Sequence, residues 1–474
     1  MSSSLTEVEA QIAQVVDTTG FVSGDFHVHM MNSPDSKIPL ADRVTAFLAE
    51  GVDYLVATDH EFLTDLTPTI AALGAEELIF SSVGQEITPQ DYGHFNGWPL
   101  TIDPEKRNMG AIDWAREAPP GEDYTSLGAY CMSPGEIYDA VHDDPGIDVV
   151  QANHFNSGGG GGFDILGFDT GQVPPVSTVL PDPFRLDPAI ENLFDIDLDG
   201  VELMIGNDRG QVSKFYNENL GDWFNLMNQG LVYYGSSDSD THSLNKTQAG
   251  SFRNFIASST DSPGALDEDA LTTSIRDGRT VGGYSPFLRA TVTAEETRET
   301  GGHALGLPTL ITALDGEVTF HLEVQSPIWV EYDTVALYIN NVPDPFDHDE
   351  DPDTPPQYQV SPDVTLTAGV DFDVIETAHG SGLPGAARYE SDLEYVLDGL
   401  VEDTWIVAVV WGTDGVSKPL FPIIPNDLDR ATNETLADLL DGNLGEEGMM
   451  AVAFTNPLFI DVDGNGIYDA PLAD

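Results

Sequence analysis

Histidines and carboxylates stand at the ends of predicted strands through the first half of this 474-residue chain. Only eleven histidines occur, and six of them fall into short polar clusters. The clusters are His27-Val28-His29, Thr58-Asp59-His60, Gln85-Glu86, Gly93-His94, Asn153-His154 and Asp240-Thr241-His242. Imidazoles and carboxylates collected from many strands are what a multinuclear metal site requires. This pattern therefore predicts strands that converge on a metal site.

Short apolar runs alternate with helical segments from residue 21 to about residue 290. We predict strands at 52–57, 78–83, 147–152, 200–205 and 231–234, and helices at 40–48, 133–142 and 212–228. Such alternation predicts a parallel α/β architecture, with a barrel as the favoured closure. Chemistry in these barrels lies at the C-terminal strand ends. The clusters directly follow the predicted strands at that end. Histidines of an ordinary core would not show this regular position relative to the strands.

The sequence changes in character past residue 290. Runs at 318–324, 335–339 and 405–411 are rich in β-branched and aromatic residues, are separated by Pro, Gly and Asp, and show little helical periodicity. We therefore predict three regions. They are an N-terminal helical extension over 1–20, a metal-binding barrel over 21–290, and a β-rich, sandwich-like domain over 291–474.

The chain is strongly acidic, with 81 acidic and 17 basic residues and a formal net charge of −64. Such a surface repels nucleic acids and anionic membranes, so neither is expected as a partner. The charge predicts adaptation to salt, where screening weakens self-repulsion. No run approaches the roughly 18 apolar residues that a membrane span needs. The first residues do not resemble a signal peptide, so we expect a cytoplasmic protein, or a periplasmic or secreted one if a leader was removed.

An acidic segment near the C-terminus has the alternating oxygen atoms of a calcium loop. Its candidate ligands are Asp461, Asp463, Asn465 and Asp469. Leu472 stands where an EF-hand would have its bidentate glutamate. A calcium turn of another type and a plain acidic turn are therefore both open.

The spacing of the histidines favours shared metal ions. His27 and His29 lie two apart on a predicted strand and point the same way, so both imidazoles can reach one ion. Asp240 and His242 repeat this spacing further along the chain. Glu86 can bridge two ions through its two carboxylate oxygens.

These motifs, in their order along the chain, resemble the PHP superfamily, the polymerase and histidinol phosphatase metallohydrolases. The closer resemblance is to the carbaryl-hydrolase branch of that superfamily (CehA/McbA). It covers about residues 20–295 and implies a distorted (β/α)7 barrel with two or three divalent ions at one end. The motifs that carry it are Gly24-Asp25-Phe26-His27-Val28-His29, Ser33-Pro34-Asp35-Ser36, Ala57-Thr58-Asp59-His60, Gly84-Gln85-Glu86-Ile87-Thr88, Gly93-His94-Phe95-Asn96, Ala152-Asn153-His154, Asp199-Gly200-Val201-Glu202, Gly235-Ser236-Ser237-Asp238-Ser239-Asp240-Thr241-His242 and Tyr284-Ser285-Pro286-Phe287.

The resemblance also implies how the ligands divide among the ions. One ion would take His27, His29, Glu86 and Asp240, a second would share Glu86 and add His94 and His154, and a third would lie near Asp35, His60 and His242. Some members of the superfamily have a histidine where this chain has Asp35, a departure that can lower the occupancy or change the metal preference of the third ion. Zn²⁺, Mn²⁺ and Fe²⁺ all suit such ligands.

The activity that the resemblance implies is hydrolysis by metal-activated water. The expected substrate is a small phosphate mono- or diester; a carbamate or amide is the alternative that the carbaryl-hydrolase relatives suggest. A metal-dependent binding protein without activity is a third interpretation. Asp59 is a candidate to orient a ligand or accept a proton, or else to cap a turn. Arg209 is a candidate to bind an anionic group of the substrate, or else to form an ordinary ion pair.

Overall fold

The computed structural model describes residues 11–89, 91–115, 131–157, 160–180, 192–206, 209–244, 248–294, 310–346, 357–383, 385–418, 420 and 449–472. The α-helices in these ranges are α1 (Leu40–Ala49), α2 (Thr67–Leu73), α3 (Pro134–His142), α4 (Gly162–Leu166), α5 (Arg209–Lys214), α6 (Leu220–Asn228) and α7 (Glu268–Arg276). Two short 3-10 helices in the same ranges lie at Arg107–Gly110 and Pro263–Ala265. A π-helical segment, Phe215–Asn219, joins α5 to α6. Within the described ranges, no helix has the length and apolar character that crossing a bilayer demands.

Strands make up more of the described chain than helices do. They are β1 (Phe21–Val28), β2 (Tyr54–Ala57), β3 (Phe80–Val83), β4 (Gln85–Ile87), β5 (Phe95–Trp98), β6 (Val149–Ala152), β7 (Phe168–Asp169), β8 (Val176–Ser177), β9 (Gly200–Ile205), β10 (Tyr234–Asp238), β11 (Arg253–Ala257), β12 (Thr280–Ser285), β13 (Phe287–Thr293), β14 (Leu310–Thr312), β15 (Val318–Pro327), β16 (Thr334–Ile339), β17 (Asp344–Phe346), β18 (Gln357–Gln359), β19 (Val364–Thr367), β20 (Ile375–Ala378), β21 (Ala387–Leu397), β22 (Thr404–Trp411), β23 (Val452–Thr455) and β24 (Leu458–Asp461).

Two sheets build the N-terminal half of the protein. The parallel strands β1, β2 and β3 belong to an eleven-stranded sheet, and β10, β9, β6, β5 and β4 form a five-stranded sheet in that order. Across Gly84, β3 leads directly into β4, and a single bridge between Val28 and Thr241 joins the end of β1 to the chain beyond β10. The three strands of the first sheet and the five of the second therefore follow one another around a ring. Hydrogen bonds close this ring only in part.

The mixed α/β class is confirmed, whereas the distorted (β/α)7 barrel is not. The short strand β5 is antiparallel to both of its neighbours, β4 and β6. On the side away from β2, β1 pairs with the antiparallel strand β11. Four of the predicted strands, β2, β3, β6 and β9, lie where the apolar runs placed them. At the start of α3, Ser133 and Glu136 form a capping box, with Ser133 N donating to the Glu136 carboxylate at 2.9 Å.

The strand before Asp240 lies further along the chain than the apolar run at 231–234 predicts. Strand β10 covers Tyr234–Asp238, so its interior is glycine, serine and aspartate. A Cβ atom on Gly235 would lie 2.3 Å from Leu203 Cδ1, which explains the small residue. The buried Asp238 carboxylate accepts hydrogen bonds from Phe26 N and Asn254 Nδ2, both at 2.9 Å. A polar strand of this kind has no apolar alternation by which the sequence could reveal it.

The C-terminal half contributes two β layers. One is the four-stranded antiparallel sheet β13-β15-β21-β20, in which β15 alternates between more and less buried residues. Its inner face shares a hydrophobic cluster with β16, β22 and β24 of the eleven-stranded sheet. This arrangement is sandwich-like, and its larger sheet is continuous with β1, β2 and β3. Strands from both predicted domains therefore belong to one sheet, and the boundary near residue 290 stays a prediction.

The N-terminal segment lies along the C-terminal strands. Residues 11–20 contain no helix, and residues 1–10 of the predicted helical extension lie outside the described residues. Asp17 N donates to Gln325 Oε1 at 2.9 Å, and Arg388 Nη1 donates to Val15 O at 3.2 Å. These bonds attach the segment to β15 and β21.

Candidate metal centre

All nine predicted ligands come together at one edge of the ring of strands. Six of them, His27, His29, His60, His154, Asp240 and His242, lie at or just beyond the C-terminal ends of β1, β2, β6 and β10. His94 directly precedes β5. Because β5 is antiparallel to β4 and β6, its N-terminal end lies at the same edge as the C-terminal ends of those two strands. The reversed strand therefore brings His94 into the cluster.

The alternation of side chains along β1 directs His27 and His29 to the same side. Phe26 and Val28 are fully buried in two apolar clusters, which leaves the two imidazoles facing the strand-end edge. Their Nε2 atoms are 3.1 Å apart. Asp240 Oδ1 lies 3.2 Å from each of these nitrogens. Three donor atoms from two distant segments therefore surround one point.

Glu86 occupies the centre of the cluster, and each of its carboxylate oxygens faces a different set of histidines. Oε2 lies 3.3 Å from His27 Nε2, 3.1 Å from His29 Nε2 and 3.2 Å from His60 Nδ1. Oε1 lies 3.0 Å from His94 Nδ1 and 3.5 Å from His154 Nε2. This is the arrangement that a carboxylate bridging two ions requires.

The third group of ligands lies nearer to solvent. Asp35 Oδ2 is 3.1 Å from His60 Nε2 and 2.9 Å from His242 Nε2. His29 lies within the same group, since its ring stacks on that of His242 with centroids 4.1 Å apart. Asp35 is exposed, whereas His27, His29 and Glu86 are buried. Asp35, at the position where the sequence departs from some relatives, is thus placed to share a cation with the two histidines.

The spacing and chemistry of these atoms fit divalent cations. Ligand atoms around an ion bound at about 2.1 Å stand roughly 3 to 3.4 Å apart, as most of the pairs above do. Among the described residues, twelve buried side-chain polar atoms have no hydrogen-bond partner, and two of them, His60 Nδ1 and Asp240 Oδ1, face this cluster. Without a hydrogen bond of their own, these two atoms are available as ligands of a divalent cation. Neutral imidazole and carboxylate are ligands of Zn²⁺, Mn²⁺ and Fe²⁺ alike.

The electrostatics of the cluster are those of carboxylates gathered around imidazoles. Burial lowers the pKa of His27, but the charges of Asp240, Glu202 and Glu86 outweigh burial, and the pKa lies well above its usual value. Burial raises the pKa of Glu86, yet the charge of His27 and hydrogen bonds from the histidines hold that pKa well below its usual value. Positive charge is therefore strongly favoured at this place, whether protons or metal ions supply it.

Backbone strain occurs at several of the predicted ligands. Six described residues other than glycine have a positive φ, and three of them, Asn108, Met109 and Asn340, are neither predicted ligands nor their chain neighbours. The other three, Glu61, His154 and Asp240, have φ values of 48°, 29° and 46°. Each lies at or beside a predicted ligand, in a region of φ that costs such residues about 1–3 kcal/mol. The surrounding contacts must hold these conformations, as is common at functional sites.

The glycine run after His154 allows a close approach to the histidines. A Cβ atom on Gly160 would lie 2.8 Å from His154 Cε1 and 3.0 Å from His94 Cε1. Gly160 O also accepts the hydrogen bond of His94 N at 2.9 Å. Gly160 therefore packs directly against the second group of ligands, where any side chain would displace an imidazole.

Two buried residues that support the ligands had no role assigned from the sequence. Glu202 on β9 accepts hydrogen bonds from His27 Nδ1 at 2.9 Å and from His154 N at 2.6 Å. Burial raises its pKa to about 8. Asn153 Nδ2 donates to Glu86 Oε1 at 3.1 Å. A carboxylate within the apolar run of β9 was the signal for Glu202, because burying an unpaired charge is too costly to occur without a partner.

Asp59 and Arg209 are the two residues predicted to take a direct part in catalysis. Asp59 is fully buried; its Oδ1 accepts from Met30 N at 2.6 Å and its Oδ2 from Thr64 Oγ1 at 2.5 Å. Both oxygens thus have partners in the turns that follow β1 and β2. The main chain of Arg209 begins α5, beyond the C-terminal end of β9, whereas its side chain lies outside the described residues.

The acidic C-terminal turn satisfies most of its oxygens internally. Asp461 accepts from Gly464 N at 2.6 Å and Gly466 N at 3.0 Å, and Asp463 Oδ1 accepts from Asn465 N at 2.9 Å. Asp469 accepts from Asn465 Nδ2 at 2.7 Å. Asp403, rather than Asp469, joins Asp461 and Asp463 in the group of carboxylates within reach of one another. Calcium at this turn stays a prediction.

Comparison with known proteins gave no family model and no curated relative that matches the chain. Solved structures with similarity include a two-domain protein containing a predicted PHP-like metal-dependent phosphoesterase from Bacteroides vulgatus, with 13% identity, a TM-score of 0.36, and coverage of 83% of this chain and 100% of that one. Another is a candidate metal-dependent phosphoesterase from Bifidobacterium adolescentis, with 18% identity, a TM-score of 0.25, and coverage of 46% of this chain and 88% of that one. The function of this chain must therefore be inferred from its own motifs and site.

Proposed function

We propose that this protein is a metal-dependent hydrolase whose centre holds two or three divalent ions and acts on a small phosphate mono- or diester. The observation that carries the proposal is the position of Glu86. Its two oxygens face two separate groups of histidines, with three nitrogens within 3.3 Å of Oε2 and two within 3.5 Å of Oε1. A single structural ion would need one such group, not two that share a carboxylate.

The ligands of the proposed ions follow the three groups in the structure. His27, His29, Glu86 and Asp240 hold the first, Glu86, His94 and His154 the second, and Asp35, His60 and His242 the third. Such ions, when bound, polarise the scissile group and lower the pKa of a water molecule. The superfamily that the motifs resemble acts mainly on phosphate esters, and this supports the choice of substrate.

Supporting residues fix the orientation of the ligands. Glu202 accepts the Nδ1 proton of His27, which turns the lone pair of Nε2 toward the cluster. Asp59 ties the chain after His29 to the turn after β2 through Met30 N and Thr64 Oγ1. We assign Asp59 this positioning role, since each of its oxygens already accepts a hydrogen bond from a turn beside the predicted ligands. Arg209 is retained as the residue that binds an anionic group of the substrate.

Turnover of chromogenic esters tests the proposal. The metal-free protein would be reconstituted with Mn²⁺, Zn²⁺ or Fe²⁺ and assayed with nitrophenyl phosphate, bis(nitrophenyl) phosphate and 1-naphthyl N-methylcarbamate. We expect metal-dependent release of nitrophenol, abolished in His27→Ala. Turnover of the carbamate alone would show that the protein is a carbamate hydrolase and not a phosphoesterase. Metal binding without turnover of any ester would leave a metal-dependent binding protein.

A further inference from the structure

Arg43 is a buried cation whose hydrogen bonds all go to the segments that carry metal ligands. It lies on α1 and is fully buried. Nε donates to His29 O at 3.0 Å and Nη2 to Thr241 O at 3.0 Å. Nη1 donates to Thr241 Oγ1 at 2.9 Å and to Ser243 O at 3.4 Å. One planar guanidinium therefore spans two stretches of main chain that are about 200 residues apart in sequence.

Other contacts also join these two stretches beyond the ends of β1 and β10. The direct backbone bond between them runs from His29 N to Thr241 O at 3.2 Å. The same carbonyl accepts the bond from Arg43 Nη2. Ser36 Oγ adds a bond to His242 O at 3.1 Å. Among the described residues, Arg43 and Ser36 thus add side-chain bonds between two ligand segments that an isolated bridge, rather than a continuous ladder, joins at this point.

The ligands attached to these peptides need such support. Asp240 has a φ of 46°, a conformation that persists only where neighbouring contacts impose it. Its Oδ1 must stay 3.2 Å from His29 Nε2 for both atoms to face one ion. Arg43 holds the peptide on each side of this contact, through His29 O and Thr241 O.

We propose that Arg43 is a positioning residue of the metal centre, which clamps the His29 and Thr241 peptides and so sets the distance between the His27–His29 pair and Asp240. The inference rests on the proposed function, because it takes these residues to be metal ligands. Arginine is needed because its rigid fork bonds both segments at once, whereas the single ammonium of lysine cannot reproduce that geometry. Burial lowers the pKa of Arg43 to about 10, so the fork stays charged at neutral pH.

The test compares R43K with R253K. Arg253 is a matched control, because its guanidinium also joins two carbonyls, Gly250 O at 2.7 Å and Glu50 O at 3.1 Å, neither of which belongs to a ligand segment. Each metal-free protein would be titrated with Co²⁺ against a competing chelator, and the visible spectrum of the bound Co²⁺ recorded. We expect R43K to bind Co²⁺ about 10- to 100-fold more weakly, with a changed spectrum. R253K should lie within about threefold of wild type, with the wild-type spectrum.

The outcomes separate this inference from the proposed function. Wild-type affinity and spectrum in R43K overturn the positioning role and leave the metal centre standing. A wild-type protein that binds no Co²⁺ overturns both. If R43K does not fold, Thr241→Val provides the test, because it removes one acceptor of Nη1, together with the bond from Thr241 Oγ1 to Ser243 O at 3.0 Å, and leaves the guanidinium in place. A loss of Co²⁺ affinity of about threefold or more in Thr241→Val supports the clamp, and an unchanged affinity overturns it.

Discussion

Glu86 is the residue on which the arrangement of the ligands depends most. Replacing it with alanine removes the only carboxylate placed between the two histidine groups of the described structure, so we expect Glu86→Ala to lose at least one ion per chain. Inductively coupled plasma mass spectrometry of the reconstituted variant measures the loss. Glu268→Ala is a suitable control, since that carboxylate accepts a hydrogen bond from Ser82 Oγ, outside the cluster. An unchanged metal content in Glu86→Ala would refute the bridge.

Glu202 supports the centre without belonging to the predicted ligands. In Glu202→Gln an NH₂ group replaces one carboxylate oxygen, so the two side-chain atoms can no longer accept hydrogen bonds from both His27 Nδ1 and His154 N. We expect about 10- to 100-fold weaker metal binding with the ligand set intact. Isothermal titration of the metal-free variant measures the change. Wild-type affinity would show that His27 keeps its orientation without the carboxylate.

The sequence brings out the predicted ligands because each lies in a short local motif, but it does not reveal the residues that support them. His27 and Glu202 are 175 positions apart in the chain, and no local pattern pairs them. Arg43 lies in an amphipathic helix, where an arginine is ordinarily read as a surface residue. Its burial follows only from the way α1 packs behind the ends of β1 and β10. Short local motifs can be recognised in the sequence, whereas contacts between distant segments become visible only in the folded structure.

Strands with an apolar alternation were predictable at the scale of elements, and polar strands were not. The apolar runs before His60 and His154 placed β2 and β6 correctly, within two residues at their first positions. By contrast, β10 continues after Tyr234 with glycine, serine and aspartate, because Leu203 leaves no room for a side chain at Gly235 and Asp238 is held by buried hydrogen bonds. The direction of β5 was equally hidden, although it is the feature that brings His94 to the site.

Asn456, between β23 and β24, connects the C-terminal strands to β10. Its Oδ1 accepts from Gly235 N at 2.7 Å, and its Nδ2 donates to Gly235 O at 3.0 Å and to Thr280 Oγ1 at 2.7 Å. Asn456→Ala leaves these buried groups without partners, so we expect a loss of about 2 to 4 kcal/mol in the free energy of unfolding. Urea denaturation measures it.

The exposed Asn217 supplies the control for that measurement. It donates only to Ser213 Oγ on the same helical stretch, and Asn217→Ala should change stability by about 0.5 kcal/mol or less. If Asn456→Ala is equally harmless, the C-terminal strands do not support β10. Two separate unfolding transitions in the wild-type protein would likewise show that the two predicted domains are independent.

Charge governs the behaviour of the molecule as a whole. With a formal net charge of −64, the negative side chains of the folded protein repel one another. Salt weakens this repulsion, because the screening length falls from about 10 Å at 0.1 M to about 3 Å at 1 M. We expect the temperature of unfolding to rise as KCl is added. Differential scanning calorimetry in EDTA, which excludes stabilisation by bound divalent ions, measures the effect. Equal stability in dilute buffer and in molar salt would contradict adaptation to salt.

The metal content of the protein tests the central claim most directly. The purified chain would be reconstituted with Mn²⁺ or Zn²⁺, freed of excess ion and analysed by inductively coupled plasma mass spectrometry, with anomalous scattering from crystals to locate the ions. We predict two or three divalent ions per chain, all at the strand-end cluster around Glu86. A folded protein that retains no ion, or that holds its ions elsewhere, would contradict the account.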